Sequence, residues 1–182
     1  MVILGVDPGT HYTGYAVVKT SAVRGKLIDY DIITLKNLSF PQKLKKIYDR
    51  LSEVIRKHRP DEFAIETAFY SKNVQSTLKL GHARGVCILA AANTSVPVSE
   101  YSPREIKKAV TGRGNASKEQ VRYMISRILD IKPLQGRSDI SDAIAVALCH
   151  YNKLVSGSVY RKNHNNWRNY LADNPQKVLY RN

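Results

Sequence analysis

The stretch MVILGVDPGTHYTGYAVVKT, residues 1–20, determines the first half of a β-sheet. It contains two runs rich in apolar and β-branched residues, MVILGVD and GYAVVKT, on either side of a turn that begins at Pro8-Gly9. A third run, GKLIDYDIITL at 25–35, alternates in part between apolar and polar residues. Three consecutive runs joined by short turns predict an antiparallel meander of three strands.

Helical and extended patterns alternate in the rest of the chain. Ser39, with Gln42 three residues later, has the spacing of a capping box and opens a helix that Pro60 ends. Two more strands are predicted at 61–67 and 96–101, with a helix at 73–93 between them. Three further helices are predicted to begin at Pro103, Ala116 and Ser138. The order βββαβαβααα predicts an α/β fold with a five-stranded mixed sheet, in which helices flank an antiparallel meander and parallel strands.

Two glycines, Gly81 and Gly85, interrupt the helix predicted over 73–93 and lie one turn apart on one face. Glycine in a helix interior costs about 1 kcal/mol relative to alanine. This cost predicts the close approach of another helix at this face, within the fold or across a dimer. Local packing without a dimer is the alternative.

The composition changes near the end of the chain. We interpret residues 1–154 as one domain and residues 155–182, which are rich in asparagine, tyrosine, lysine and arginine, as a basic C-terminal tail. A packed extension with no role in binding is the alternative.

The charge balance narrows the class of partner. The 182 residues include 29 Lys and Arg against 15 Asp and Glu, a formal net charge of +14, which favours a polyanion such as nucleic acid. We find no apolar run of about 18 residues that spans a membrane and no leader of the secretory type, so we expect no membrane partner. Cys87 and Cys149 lack metal-ligand spacing and indicate buried thiols in a reducing, cytoplasmic compartment.

Four acidic residues stand where a carboxylate has both an ordinary and a chemical explanation. Asp7 ends the first strand and is either a turn former or a ligand. Glu66 shares a strand face with Ala64, and it either faces water at an edge or is held for function. Asp139 and Asp142 begin the last helix, where acidic residues also cap and favour the helix dipole.

Taken together, these four residues favour a metal site. If the first strand is central, Asp7 lies at its carboxyl end, Glu66 lies on a neighbouring strand, and the last helix brings Asp139 and Asp142 alongside. Four like charges in one cleft raise each other's pKa values, and divalent cations remove that penalty. Oxygen ligands without His or Cys favour Mg²⁺ or Mn²⁺, and a pair of such ions promotes phosphodiester hydrolysis.

At this point the sequence resembles a known family, the RuvC-type Holliday junction resolvases of the ribonuclease H-like superfamily. The resemblance lies in four blocks, GVDPGT, AIE, SPREIKKAVTGRGNASKEQV and SDISDAIAVALCH, in order and at family spacing from Met1 to about Tyr151. It implies a ribonuclease H-like nuclease domain and a homodimer that resolves four-way DNA junctions in recombination and repair. The expected reaction is paired symmetric nicking with two Mg²⁺ or Mn²⁺ ions, leaving 5′-phosphate and 3′-hydroxyl ends.

The resemblance also assigns roles to single residues. It implies that Asp7, Glu66, Asp139 and Asp142 are catalytic metal ligands. It implies phosphate contacts for Lys107 and Lys118 and an aromatic at the junction centre, for which Phe69 is the match and Tyr70 the alternative. The loop TGRGN and the polar residues after the aromatics add three candidates for DNA contact, Lys108, Arg113 and Lys72. An ordinary solvated helix face is the alternative for the basic block.

The resemblance further implies a bacterial, cytoplasmic protein that works with a branch-migration motor. Two other functions remain open on the sequence. One is a junction-binding module without catalysis, which the net charge fits equally well. The other is a related YqgF-type nuclease that acts on RNA.

Overall fold

The computed structural model describes residues 1–21, 25–67, 73–132 and 138–163, with side chains in the last range up to residue 157. The order of elements is the one predicted. The strands and helices are β1 (Val2–Asp7), β2 (Tyr12–Thr20), β3 (Gly25–Thr34), α1 (Phe40–His58), β4 (Glu62–Glu66), α2 (Val74–Ala92), β5 (Val98–Tyr101), α3 (Pro103–Thr111), α4 (Lys118–Leu129) and α5 (Ser138–Asn163).

The described strands form one mixed sheet in the order β3-β2-β1-β4-β5. The meander pairs antiparallel, β1 with β2 and β2 with β3, while β4 runs parallel to β1 and β5 parallel to β4. The first strand is therefore central, as predicted. Its carboxyl end lies at the same edge as the carboxyl ends of β4 and β5, where polar groups from several strands meet.

The sheet separates two apolar layers, because successive side chains of a strand point to opposite faces. On one face Ile3, Ala16 and Ala64 pack with apolar residues of α3, α4 and α5. On the other face Leu4, Tyr15 and other large side chains of the sheet pack with α1 and α2. The carboxyl edge thus has a helical layer on each side, and α5 is central to one of them.

The helix starts follow local sequence signals. Ser39 forms the predicted capping box with Gln42, and Ser102 and Ser117 form the same box with the residues three positions later. Helix α1 ends at His58, and Arg59 takes the left-handed conformation before Pro60. Among the described residues, no helix is long and apolar enough to cross a membrane.

The outward glycines of α2 and the length of the last helix bear on two of the expectations. A Cβ atom added at Gly81 or Gly85 would have no neighbouring atom within 4 Å in the described chain, so these glycines do not serve a close approach within the fold. They face outward on α2, so close approach across a dimer stays a prediction, beside the alternative without a dimer. The last helix continues to Asn163, inside the segment predicted as a tail. The chain divides into one unit over Met1–Tyr151 and a second over Asn152–Asn182.

Candidate active site at the carboxyl edge of the sheet

Two of the four carboxylates come from neighbouring parallel strands. Asp7 is the last residue of β1 and Glu66 the last residue of β4. Val6 pairs with Ile65 in the register of these strands, so both acidic residues follow a paired residue at the same level. Both lie on the face that α5 covers, because they alternate with Val6 and Ile65, which pack on the other face.

The other two carboxylates come from the start of α5, which packs directly on the sheet. Gly14 pairs with Asp7 in the register of β1 and β2. A Cβ atom at Gly14 would lie 2.2 Å from the backbone oxygen of Asp139, and one at Gly5 would lie 2.3 Å from that of Ala143. The missing side chains of both glycines let the helix backbone reach the strands. This contact brings Asp139 beside the strand residue that pairs with Asp7, and Asp142 follows one turn later.

The four carboxylates form one electrostatic group. Burial raises the pKa of Asp7 well above its usual value, and repulsion from Glu66, Asp142 and Asp139 raises it further. Burial, followed by repulsion from Asp142, raises the pKa of Glu66 to about 7. Such shifts arise where like charges share a poorly solvated cleft, as they do in catalytic sites. The structure therefore brings together the acidic residues that the sequence placed far apart.

One lysine ammonium lies among these carboxylates. The Nζ of Lys118, at the start of α4, is 3.2 Å from Oδ2 of Asp142 and 3.4 Å from Oγ of Ser138. The negative charge of Asp142 raises the pKa of this lysine, and Asp7 and Glu66 add to the effect. Ser138 was absent from the residues chosen on sequence. Its position four residues before Asp142, on the same helix face, is the signal that identifies it.

A divalent cation fits the chemistry of this group. The four side chains offer hard carboxylate oxygens, the ligands that Mg²⁺ and Mn²⁺ prefer. Among the described residues, no three His, Cys, Asp or Glu side chains are gathered closely enough to hold an ion as they stand. Mutual repulsion of carboxylates favours such separation, and it adds to burial, the larger cause, in raising the pKa values of Asp7 and Glu66. A bound cation relieves that repulsion.

A buried histidine fixes the body of α5 behind the site. The Nδ1 of His150 lies 2.7 Å from the hydroxyl oxygen of Tyr101 on β5, and its Nε2 lies 3.3 Å from a carboxylate oxygen of Glu62 on β4. Burial lowers the pKa of His150. The backbone N–H of Thr67, next to Glu66, donates to the Tyr101 carbonyl. These contacts join α5 to the strand that carries Glu66.

The residues predicted to contact DNA divide into three groups. Lys107 on α3 is half-buried and close enough to lower the pKa of Glu66, as Lys118 also does. Lys108 and Arg113 are exposed, and no contact among the described residues joins them to the carboxylates. The remaining three candidates lie outside the described residues, namely Phe69, Tyr70 and Lys72.

Fold and site together define a class. A five-stranded mixed sheet with a central first strand and flanking helices is the fold of RuvC and other ribonuclease H-like resolvases. The chain belongs to the RuvC family: the family model for crossover junction endodeoxyribonuclease RuvC matches residues 3–150. It is accordingly a nuclease, and membership in this family implies a requirement for a divalent metal.

Relatives support this assignment over almost the whole chain. A crossover junction endodeoxyribonuclease RuvC of Cytophaga hutchinsonii is 46% identical over 97% of this chain and 88% of its own length. One from Chloroherpeton thalassium is 45% identical over 98% of this chain and 100% of its own length. The structure of Thermus thermophilus RuvC in complex with Holliday junction substrate superposes with a TM-score of 0.82 at 32% identity, covering 86% of this chain and 96% of that one.

Proposed function

We propose that Asp7, Glu66, Asp139 and Asp142 are the metal-binding catalytic residues of a Holliday junction resolvase. The observation that carries this proposal is geometric: Asp7 and Glu66 end two neighbouring parallel strands, and the backbone of Asp139 lies against Gly14, the residue that pairs with Asp7. A protein gains nothing in stability from gathering uncompensated charges in a cleft. Bound cations would compensate the charges of the cluster, and we infer the reaction from membership in the RuvC family.

The chemistry follows from this donor set. The four carboxylates would hold Mg²⁺, or Mn²⁺ in its place, as a pair of ions, which would supply activation of water and stabilisation of the charge on the departing 3′ oxygen, the chemistry that leaves 5′-phosphate and 3′-hydroxyl ends. Asp7 interacts electrostatically with the other three carboxylates and would share the bound ions with them. Lys118 neutralises part of the charge of Asp142, and its ammonium is placed to contact the scissile phosphate. Lys107 contributes positive charge on the side of Glu66.

The substrate we propose is a four-way DNA junction. The related Thermus thermophilus protein was solved with a Holliday junction, and the net charge of +14 suits a polyanion. Lys107 and Lys118 would hold phosphates at the carboxylates, and exposed Lys108 and Arg113 would hold phosphates further away. We retain the proposal that Phe69, or Tyr70 in its place, enters the junction centre and that Lys72 adds a backbone contact.

We also propose a homodimer, because paired symmetric nicks require two active sites. Helix α2 presents an outward stripe that spans Val74, Leu78, Gly81, Gly85 and Leu89, whose positions repeat at helical spacing. The side chains of Val74 and Leu78 are 70% and 58% exposed, which is costly unless a partner covers them. Two glycines in this stripe would let a second α2 approach closely. We further propose that the protein works with a branch-migration motor in the bacterial cytoplasm.

The test uses a synthetic four-way DNA junction with each strand labelled in turn. Asp7→Asn keeps the shape of the side chain and removes its charge, so cleavage in Mg²⁺ should fall by on the order of 10³-fold while junction binding persists. Asp49→Asn on α1 is the matched control, because Asp49 is an exposed acid that pairs with Lys45. That variant should cleave like the unchanged protein.

Three results would separate the alternatives. Symmetric nicks that need Mg²⁺ or Mn²⁺ and vanish in Asp7→Asn support the resolvase. Tight junction binding with no cleavage in either metal would overturn it in favour of a binding module without catalysis. Cleavage of a structured RNA, with the DNA junction left intact, would favour the nuclease that acts on RNA.

A further inference from the structure

A groove beside the carboxylates is lined by Pro103, Arg104, Lys107, Gly114 and Asn115. Two of these five residues are cationic and none is acidic. The groove adjoins the catalytic cluster because α3, which carries Lys107, begins at Pro103, two residues after the strand residue Tyr101 that pairs with Glu66. A strand of nucleic acid that leaves the carboxylates on this side therefore enters a cationic groove.

The two cations of the groove share one face of α3. Arg104 and Lys107 are three residues apart, a spacing that places side chains about 5–6 Å apart on a helix surface. The nearby acid Glu105 turns back to the start of the helix, where it accepts hydrogen bonds from the backbone N–H and the hydroxyl of Ser102. In the part of the chain that the structure describes, Arg104 forms no ion pair, so its charge is available to a ligand.

The position of the Arg104 side chain depends on the absence of a side chain at residue 114. A Cβ atom added at Gly114 would lie 2.7 Å from Cγ and 3.2 Å from Nε of Arg104. Gly114 does not have a positive φ, so its backbone does not require glycine. The glycine instead leaves room for the arginine stem, and Arg104 and Gly114 together line the groove.

We infer that Arg104, held in place against Gly114, binds a phosphodiester of the junction strand next to the one that Lys107 contacts, and so positions the strand entering the active site. A guanidinium suits this task because its planar donors match phosphate oxygens and its charge persists at every physiological pH. The inference rests on the proposed function for its substrate, but Arg104 acts on binding and takes no part in the chemistry. It is a positioning residue.

The experiment measures junction affinity in chelator, where no cleavage occurs, at a series of salt concentrations. Arg104→Gln should bind the four-way DNA junction about tenfold more weakly, the loss expected for one charge-assisted hydrogen bond. The slope of log affinity against log salt should fall by about 0.9, because one phosphate contact is gone. Arg56→Gln removes the same charge from an exposed site on α1, across the sheet, and should leave the affinity within about twofold and the slope unchanged.

A double-mutant cycle tests the role of Gly114. Gly114→Ala keeps every charge but displaces the arginine stem, so affinity should fall in the same direction as in Arg104→Gln, by a smaller factor. The double variant should bind no more weakly than Arg104→Gln alone, because both changes remove one contact. Thermal unfolding followed by circular dichroism identifies any variant that loses affinity through unfolding.

Two outcomes overturn the inference. One is an unchanged affinity and salt slope in Arg104→Gln, and the other is independent, multiplicative losses in the double variant. Failure of the proposed function is recognised separately, since it would be seen as an unchanged protein that does not cleave in Mg²⁺. The binding measurements in chelator remain interpretable in that case.

Discussion

The two faces of the sheet are built from the same strands but from side chains of different size. On the face covered by α1 and α2 the strands contribute large apolar residues, namely Leu4, Val6, Tyr15, Val17, Phe63 and Ile65. On the face covered by α5 the corresponding residues near the carboxyl edge are small or acidic, namely Gly5, Asp7, Gly14, Ala16, Ala64 and Glu66. The first face forms an ordinary packed core. On the second face the backbone of α5 lies directly against the backbone of the strands.

This difference explains how a strand carboxylate and a helix carboxylate come to share one cleft. Helices usually stand off a sheet by the length of the intervening side chains. Glycine at positions 5 and 14 removes that spacer, and α5 lies against β1 and β2 where its first turns carry Asp139 and Asp142. The large residues of the other face supply the apolar burial that stabilises the sheet while the carboxylates oppose one another.

The largest effect is expected when a side chain is added to a strand on the sheet face that α5 covers. Gly14→Ala places a Cβ atom 2.2 Å from the backbone oxygen of Asp139, so the start of α5 must move. Misplacement of a catalytic group by about 1 Å costs about 100-fold in rate, and we expect a loss of that size in single-turnover junction cleavage. Val17→Ala, on the same strand but the opposite face, is the contrast.

Val17→Ala should lose about 2 kcal/mol of unfolding free energy through its cavity yet cleave normally per folded molecule. Equal damage to cleavage in both variants would show that the two faces do not differ in function. Normal cleavage in Gly14→Ala would show that the close contact of α5 is not what places the carboxylates.

A smaller effect is the pH dependence of stability that Glu66 causes on the face covered by α5. The pKa of Glu66 is raised from 4.5 to about 7, so the folded protein holds this proton more tightly than the unfolded chain. The contribution to stability is complete below about pH 4.5 and is lost as the pH rises through about 7. In chelator, Glu66→Gln should therefore unfold on the order of 5 °C above the unchanged protein at pH 8, with little difference at pH 4.5.

Mg²⁺ should remove this difference in unfolding temperature at pH 8, because a cation bound by the carboxylates stabilises only the folded state of the unchanged protein. Differential scanning calorimetry in chelator and in excess Mg²⁺ measures both effects. The same difference at both pH values, or a difference that Mg²⁺ leaves untouched, would contradict the view that like charge opposes folding at this site.

Much of the sheet and of its acidic edge could be predicted because the signals are local. Strand runs and turn residues identified the meander, an acid directly after an apolar run located Asp7 at a strand end, and alternation placed Glu66 on a neighbouring strand. Since parallel strands share an edge, their proximity followed. The predicted start of the last helix at Ser138 located Asp139 and Asp142 in its first turns.

The remaining features depend on contacts between distant residues. Lys107 and Lys108 are adjacent in sequence, and helix geometry turns them about 100° apart, but only the packing of α3 determines which one faces Glu66. The contact of Lys118 with Ser138 and that of Arg104 with Gly114 join separate elements in the same way. On sequence, the glycines of α2 were explained by close approach of a helix, within the fold or across a dimer, or by local packing without a dimer. The fold excludes close approach within the described chain.

The smallest effect concerns the outer surface of the layer opposite the site. Gly85 lies in a helix interior with open space around it, so Gly85→Ala should raise the stability of the isolated chain by about 0.5–1 kcal/mol. If a second α2 approaches this face, the added methyl group also weakens self-association, which sedimentation across a concentration series measures. Gly157→Ala is the matched control, because Gly157 is a helical glycine with the same open surroundings and lies outside the α2 stripe. Weaker association in Gly85→Ala alone would place α2 in the dimer interface, whereas equal association in both variants would remove it from there and leave the paired nicks to be explained by another surface.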